Sequence, residues 1–122
     1  MNSQEKLIKE YGHSIILGSL ISNQSEANTD YEKWKLESWI EEHEALQPLF
    51  ASSESDSERL LLLYNASKSL RSQIAQELST FKPEDSWYQR LRRMDGFLLI
   101  LSDKVRELSY LLVRVNSMEW KG

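Results

Sequence analysis

The apolar residues Trp87, Leu91, Met94, Leu98, Leu101, Val105, Leu108, Leu112 and Val115 recur at alternating steps of four and three. A period of 3.5 residues marks the buried seam of one long α-helix, here predicted from Pro83 to Trp120. The rest of the chain reads as material to cover that seam. A third helix carries Leu60, Leu63, Ser67, Leu70, Ile74, Leu78 and Phe81 at steps of three and four. Ser55, three residues before Glu58, supplies a capping box for its start.

Upstream, Asn2 and Glu5 have capping-box spacing for a first helix, in which Leu7, Ile8, Tyr11 and Ile15 form an arc. From Ile15 to Ile21 the apolar residues go most of the way round, the pattern of a helix buried on all sides. Gly12 and Gly18 lie inside it and are expected to serve close helix approach. Ser22 to Asn28 reads as a loop. Thr29 with Glu32 caps a second helix, predicted to run to about Leu46, with Leu36, Trp39, Ile40, His43 and Leu46 on one face. Pro48 is expected to end it near Gln47.

These elements define an all-α fold: an antiparallel bundle of four helices in one domain, residues 1–122. Two helical hairpins, 2–47 and 58–120, are joined by a linker, 48–57. The short Lys82-Pro83 joint makes helices three and four antiparallel neighbours, with the apolar runs at Leu60–Leu63 and Phe97–Leu101 meeting in the core. At 1.5 Å per residue the last helix outruns the third by roughly 18 Å. Leu108, Leu112 and Val115 fall on that overhang and are read as a homodimer interface or as a seat for the first helix.

Charge adds an asymmetry. Residues 1–58 carry 4 basic and 12 acidic side chains, and residues 59–122 carry 11 and 7. The absence of cysteine excludes disulfides and thiol chemistry. No apolar run is long enough to span a membrane, and Met1 to Glu10 lacks a signal-peptide layout. The chain is therefore expected in the cytoplasm, of a cell or of an infected host.

Candidate chemistry is sparse. Glu37, Glu41, Glu42, His43 and Glu44 suggest metal ligands, but the di-iron pattern needs Glu-x-x-His, and position 40 is Ile40. His13 has no catalytic partner at a recognisable spacing. No catalytic residue, metal or cofactor is expected, and the chain is read as a non-enzymatic protein-binding module. In its most concrete form it is a small acidic inhibitor or immunity-type protein, with Tyr31 and Trp34 as aromatic anchors and Glu37, Glu41 and Glu44 facing a basic protein partner. A second reading makes it a subunit of a nucleoprotein complex that contacts nucleic acid through Arg90, Arg92 and Arg93. A third makes it a self-associating assembly protein, for example of viral origin.

Overall fold

The structure, a computed structural model, describes the backbone of residues 3–120 and the side chains of residues 6–109. It is an all-α bundle: α1 (Ser3–Ser25), α2 (Asp30–Glu44), α3 (Gln47–Ser52), α4 (Asp56–Leu78) and α5 (Ser86–Trp120). Two of the sequence-read caps close their helices. The Thr29 hydroxyl accepts the Glu32 N–H at 3.1 Å, and the Ser55 hydroxyl accepts that of Glu58 at 3.1 Å. The Glu58 carboxylate returns to the Glu54 N–H at 3.0 Å, one residue before the cap that a capping box would reach. The third cap, at Asn2, lies outside the described residues.

Cross-links fix the helix directions. Gln24 near the end of α1 donates to the Lys33 carbonyl near the start of α2, while His13 bonds the carbonyl of His43 at the far end of α2. Trp87 at the start of α5 donates to Glu77 near the end of α4, and Arg71 meets Asp95 at 3.0 Å. Gln73 of α4 donates to Glu42 of α2, and Arg90 of α5 to the Asn23 carbonyl of α1. The two hairpins are thus antiparallel pairs closed into one bundle, with α4 and α5 the most extensively packed pair.

The heptad seam is the core. Trp87, Leu91, Met94, Leu98, Leu101, Val105 and Leu108 are all buried, against Leu60, Leu63, Leu70 and Ile74 of α4, Leu36, Trp39 and Ile40 of α2, and Ile8, Ile16 and Leu20 of α1. Each such side chain removes enough apolar surface from water to contribute about 1.5–3 kcal/mol. Ser67 keeps the period of α4 and is fully buried with its hydroxyl unpaired.

Several expectations change. The α1 helix continues through Ser25, so the loop reduces to four residues. Pro48 does not simply end the second helix: after a turn at Ala45 and Leu46 it occupies the first turn of α3, where its missing N–H costs nothing. The segment 48–57 is therefore part helix and part linker. Pro83 lies in a turn closed by Asp85, whose carboxylate accepts the Lys82 N–H at 3.1 Å, and α5 begins only at Ser86. The stretches that read as apolar all round are buried on one side only, with Ile21 51% and Ile100 72% exposed.

On the overhang, Leu108 is 5% exposed and belongs to the core of the single chain rather than to a free surface. Of the two readings of the overhang, burial of Leu108 within the single chain agrees with a seat for the first helix, since α1 packs along α5. The side chains of Leu112 and Val115 lie outside the described residues.

The two glycines of α1 differ. A methyl group at Gly12 would overlap the Leu63 side chain, whereas nothing lies within 4 Å of one at Gly18. Gly12 is therefore where α1 approaches α4, and Gly18 serves no approach. Gly18→Ala should stabilise the protein by about 0.5–1 kcal/mol through helix propensity. Gly12→Ala should cost about 1 kcal/mol or more, because it overpacks a buried leucine. Denaturant midpoints of the two variants check the pair, and equal stabilisation by both would contradict the close approach.

Candidate binding face and the buried carboxylate behind it

The α2 helix carries six acidic and two basic side chains in fifteen residues. Its buried stripe is Glu32, Leu36, Trp39, Ile40 and His43. Helical geometry then turns Trp34, Ser38 and Glu41 directly outward, with Glu37 and Glu44 on the flank toward α1 and Tyr31 on the flank toward α4. Trp34 is 62% exposed and Tyr31 42%, and Glu37, Glu41 and Glu44 are exposed. The two aromatic anchors and the three carboxylates of the expected face thus lie on one side of one helix, although Glu37 is engaged by Gln24.

The aromatic part of this face is braced from behind. Tyr31 packs at 5.9 Å from the Trp34 ring and 5.8 Å from Phe81, and its hydroxyl donates to the carboxylate of Glu77. Glu77 is buried on α4 and also accepts the Trp87 indole N–H at 3.2 Å. Lys35 lies 3.8 Å from the same carboxylate and 5.7 Å from the centroids of both Trp34 and Trp39. Desolvation, followed by the hydrogen bond and charge of Glu77, pushes the Tyr31 phenol up to about 12. Tyr31 therefore stays a neutral donor across the physiological range.

Beside this network is a cavity of about 410 Å³ lined by Tyr31, Glu32, Phe81, Asp85 and Trp87, among others. The sequence marks Glu32 only as the capping-box partner of Thr29 and does not single out Glu77. Glu32 follows a cap and looks like a dipole-compensating residue of the first turn, and Glu77 is one carboxylate within a seam. A weak signal existed: Glu77 keeps the heptad step between Ile74 and Phe81, where a charge is out of place.

The basic cluster comes together only in part. Arg90 and Arg93 share a cavity of about 220 Å³ with Asn23, Glu26 and Phe97. Arg92 is 100° round the helix from Arg93, toward α4. Arg90 donates to the Asn23 carbonyl at 3.2 Å, near the end of α1, where a cation satisfies a late carbonyl and the helix dipole. That bond gives Arg90 a structural role without any phosphate.

The two histidines form a third feature. His13 Nε2 lies 2.8 Å from the His43 carbonyl oxygen. A carbonyl only accepts, so His13 carries its proton on Nε2. Its ring stacks on Phe50 of α3 at 4.3 Å. His43 is buried with Nδ1 unpartnered, so it packs as a core residue rather than as part of the acidic face. Among the described residues no group of three His, Cys, Asp or Glu side chains is placed to hold a metal, and no helix is long and apolar enough to cross a membrane.

The fold and this face define an all-α bundle with an acidic, aromatic helix on its surface. Comparison with protein-family models, curated proteins and solved structures gives no match.

The histidine pair makes stability pH-dependent. Burial holds both imidazoles below their ordinary value, in His13 against the opposing hydrogen bond to the His43 carbonyl, and in His43 against the opposing charge of Glu42. Below about pH 6.5 the unfolded chain therefore binds more protons than the folded one, and stability falls as the pH drops. Denaturant unfolding at pH 7 and pH 5 should show this loss, and His43→Leu should reduce it. An identical pH dependence in that variant would remove His43 from the account.

Proposed function

We propose that this chain is a non-enzymatic protein-binding module that docks the outer face of α2 on a basic protein, in the manner of a small acidic inhibitor or immunity-type protein. The observation that carries the reading is Trp34: a large indole, 62% exposed, held against Tyr31 and Lys35 and followed along the helix by Glu37 and Glu41. Binding hot spots are enriched in Trp and Tyr, because such side chains bury much area while losing little rotamer entropy. A bundle helix is also a rigid platform, which lowers the ordering cost of association. The surrounding carboxylates would steer a basic partner and raise its association rate.

A partner captured from lysate on the immobilised chain is first identified and then tested kinetically. Trp34→Ala should weaken its binding by about 2 kcal/mol or more, mostly through faster dissociation. Exchanging Glu37, Glu41 and Glu44 together for Gln should slow association by about tenfold at low salt and leave dissociation nearly unchanged. A partner bound equally well by both variants would overturn the reading.

Self-association is a second reading, supported by Ile100, which is 72% exposed on the outer side of α5. Light scattering decides it: an oligomer that Ile100→Glu converts to a folded monomer supports it, and a wild type monomeric at tens of micromolar excludes it.

A further inference from the structure

The short helix α3 lies as a strap over one end of the bundle. None of its residues is buried. Gln47 and Phe50 close a cavity of about 250 Å³ whose other walls include Lys9 and His13 of α1 and Arg59 and Leu63 of α4. A turn at Ala45 and Leu46 leads into the strap, and irregular backbone at Ser53 and Glu54 leads out of it. Its far end is held by Arg59, which donates to the Ser53 hydroxyl at 3.2 Å. Its middle is held by the Phe50 ring, stacked on that of His13 at 4.3 Å.

His43 secures the near end. Its carbonyl oxygen accepts the His13 Nε2–H at 2.8 Å and the Leu46 N–H at 3.1 Å, so one atom both closes the turn into α3 and ties that turn to α1. The His43 imidazole is 2% exposed, and its Nδ1 has no hydrogen-bond partner. An imidazolium carries an N–H on both nitrogens, and a buried charge with an unpaired N–H is unfavourable. A charged His43 is therefore driven toward water. It stands in the last turn of α2, so unwinding that turn lets it out, and the same unwinding displaces the carbonyl that holds His13.

The charges around the pair do not offset this. Lys9 and Glu10 come from α1, Glu42 and Glu44 from α2, Asp56 and Arg59 from α4, and α3 has no titratable side chain. Lys9 pairs with Asp56 at 2.9 Å, Glu10 and Glu44 are exposed, and the Glu42 carboxylate, which favours a charged His43, is shared with Gln73. On α5 the register of Asn23 against Arg90 brings Leu101 near the level of His13, and the charges next to it, Asp103 and Lys104, pair with Arg106 and Glu107. The two imidazoles lie 6.2 Å apart and repel each other once both are charged.

We propose that α3 is an acid-released strap: charging the His13–His43 pair frees it from α1 and opens the cavity above Leu63, while the rest of the bundle stays folded. The seam from Trp87 to Leu108 contains no group that titrates in this range, and a segment that buries nothing of its own opens at lower cost than the whole chain. A free imidazole takes up its proton near pH 6.5, so opening is favoured increasingly as the pH falls below about that value. The loss of stability at low pH then falls first on one segment.

The test is an NMR titration of the intact chain from about pH 7.5 to about pH 5, with circular dichroism for helix content. It follows the Overhauser contacts between the Phe50 and His13 rings and the amide shifts of residues 45–53. The ring contacts should vanish and these amides should move to unfolded positions with a midpoint below about pH 6.5, while the methyl signals of Leu70 and Leu98 keep their native positions. In His43→Leu the transition should move down by at least about half a pH unit or disappear. His13→Gln should do the same, since its amide is neutral and can still donate to the His43 carbonyl. Where circular dichroism shows both variants unfolded at neutral pH, the wild-type titration decides alone. Three results would overturn the proposal: no transition within the range, a Phe50 ring that leaves His13 only as Leu70 and Leu98 unfold, or an unshifted midpoint in a folded variant.

Discussion

The buried carboxylate of Glu77 constrains how the two hairpins meet. Removing a carboxylate from water costs several kcal/mol unless its lone pairs are satisfied. Here the donors come from two other helices: the Tyr31 hydroxyl of α2 and the Trp87 indole N–H of α5, with the Lys35 ammonium at 3.8 Å. A shift of α2 along α4 by one residue, about 1.5 Å, breaks the Tyr31 hydrogen bond to a buried charge. The carboxylate thus adds register to a fold whose bulk stability comes from the heptad seam.

Much of that seam was legible, and the reason is local. Burial along a helix repeats every three or four residues, so Trp87 to Leu108 announce their common face within a window of a few turns. The caps at Thr29 and Ser55 are legible in the same way, since donor and acceptor are three residues apart. Pro48 misled because one rule about proline, that it ends helices, competes with another, that it begins them. Which applies depends on whether a turn precedes it, and Ala45 and Leu46 supply one.

The rest was illegible because it depends on contacts far apart in sequence. Tyr31 and Glu77 are separated by 46 positions, and Lys9, buried on α1 and paired with Asp56 at the start of α4, by 47. No spacing rule reaches that far. Gly12 and Gly18 make the same point within one helix. They share a residue type and a segment, yet only Gly12 faces Leu63. The two aromatic anchors and three carboxylates on α2 were legible as one side of a helix, but not their bracing, nor the cavity that Tyr31 shares with Phe81 and Trp87.

The acidic face and the buried network behind it are physically coupled. An exposed tryptophan on a mobile loop would lose conformational freedom on binding, and that loss would offset much of the contact energy. Trp34 instead stands on a helix whose position is set by Glu77 and whose neighbour Tyr31 is tied to the same carboxylate. Lys35 contributes from the other side: its ammonium lies over the Trp34 ring and close to Glu77, so its charge is largely spent inside the chain. What remains at the surface is net negative and aromatic. Such a face suits the basic partner proposed above, because Lys35 is already engaged within the chain and the rings need little reorganisation to be used.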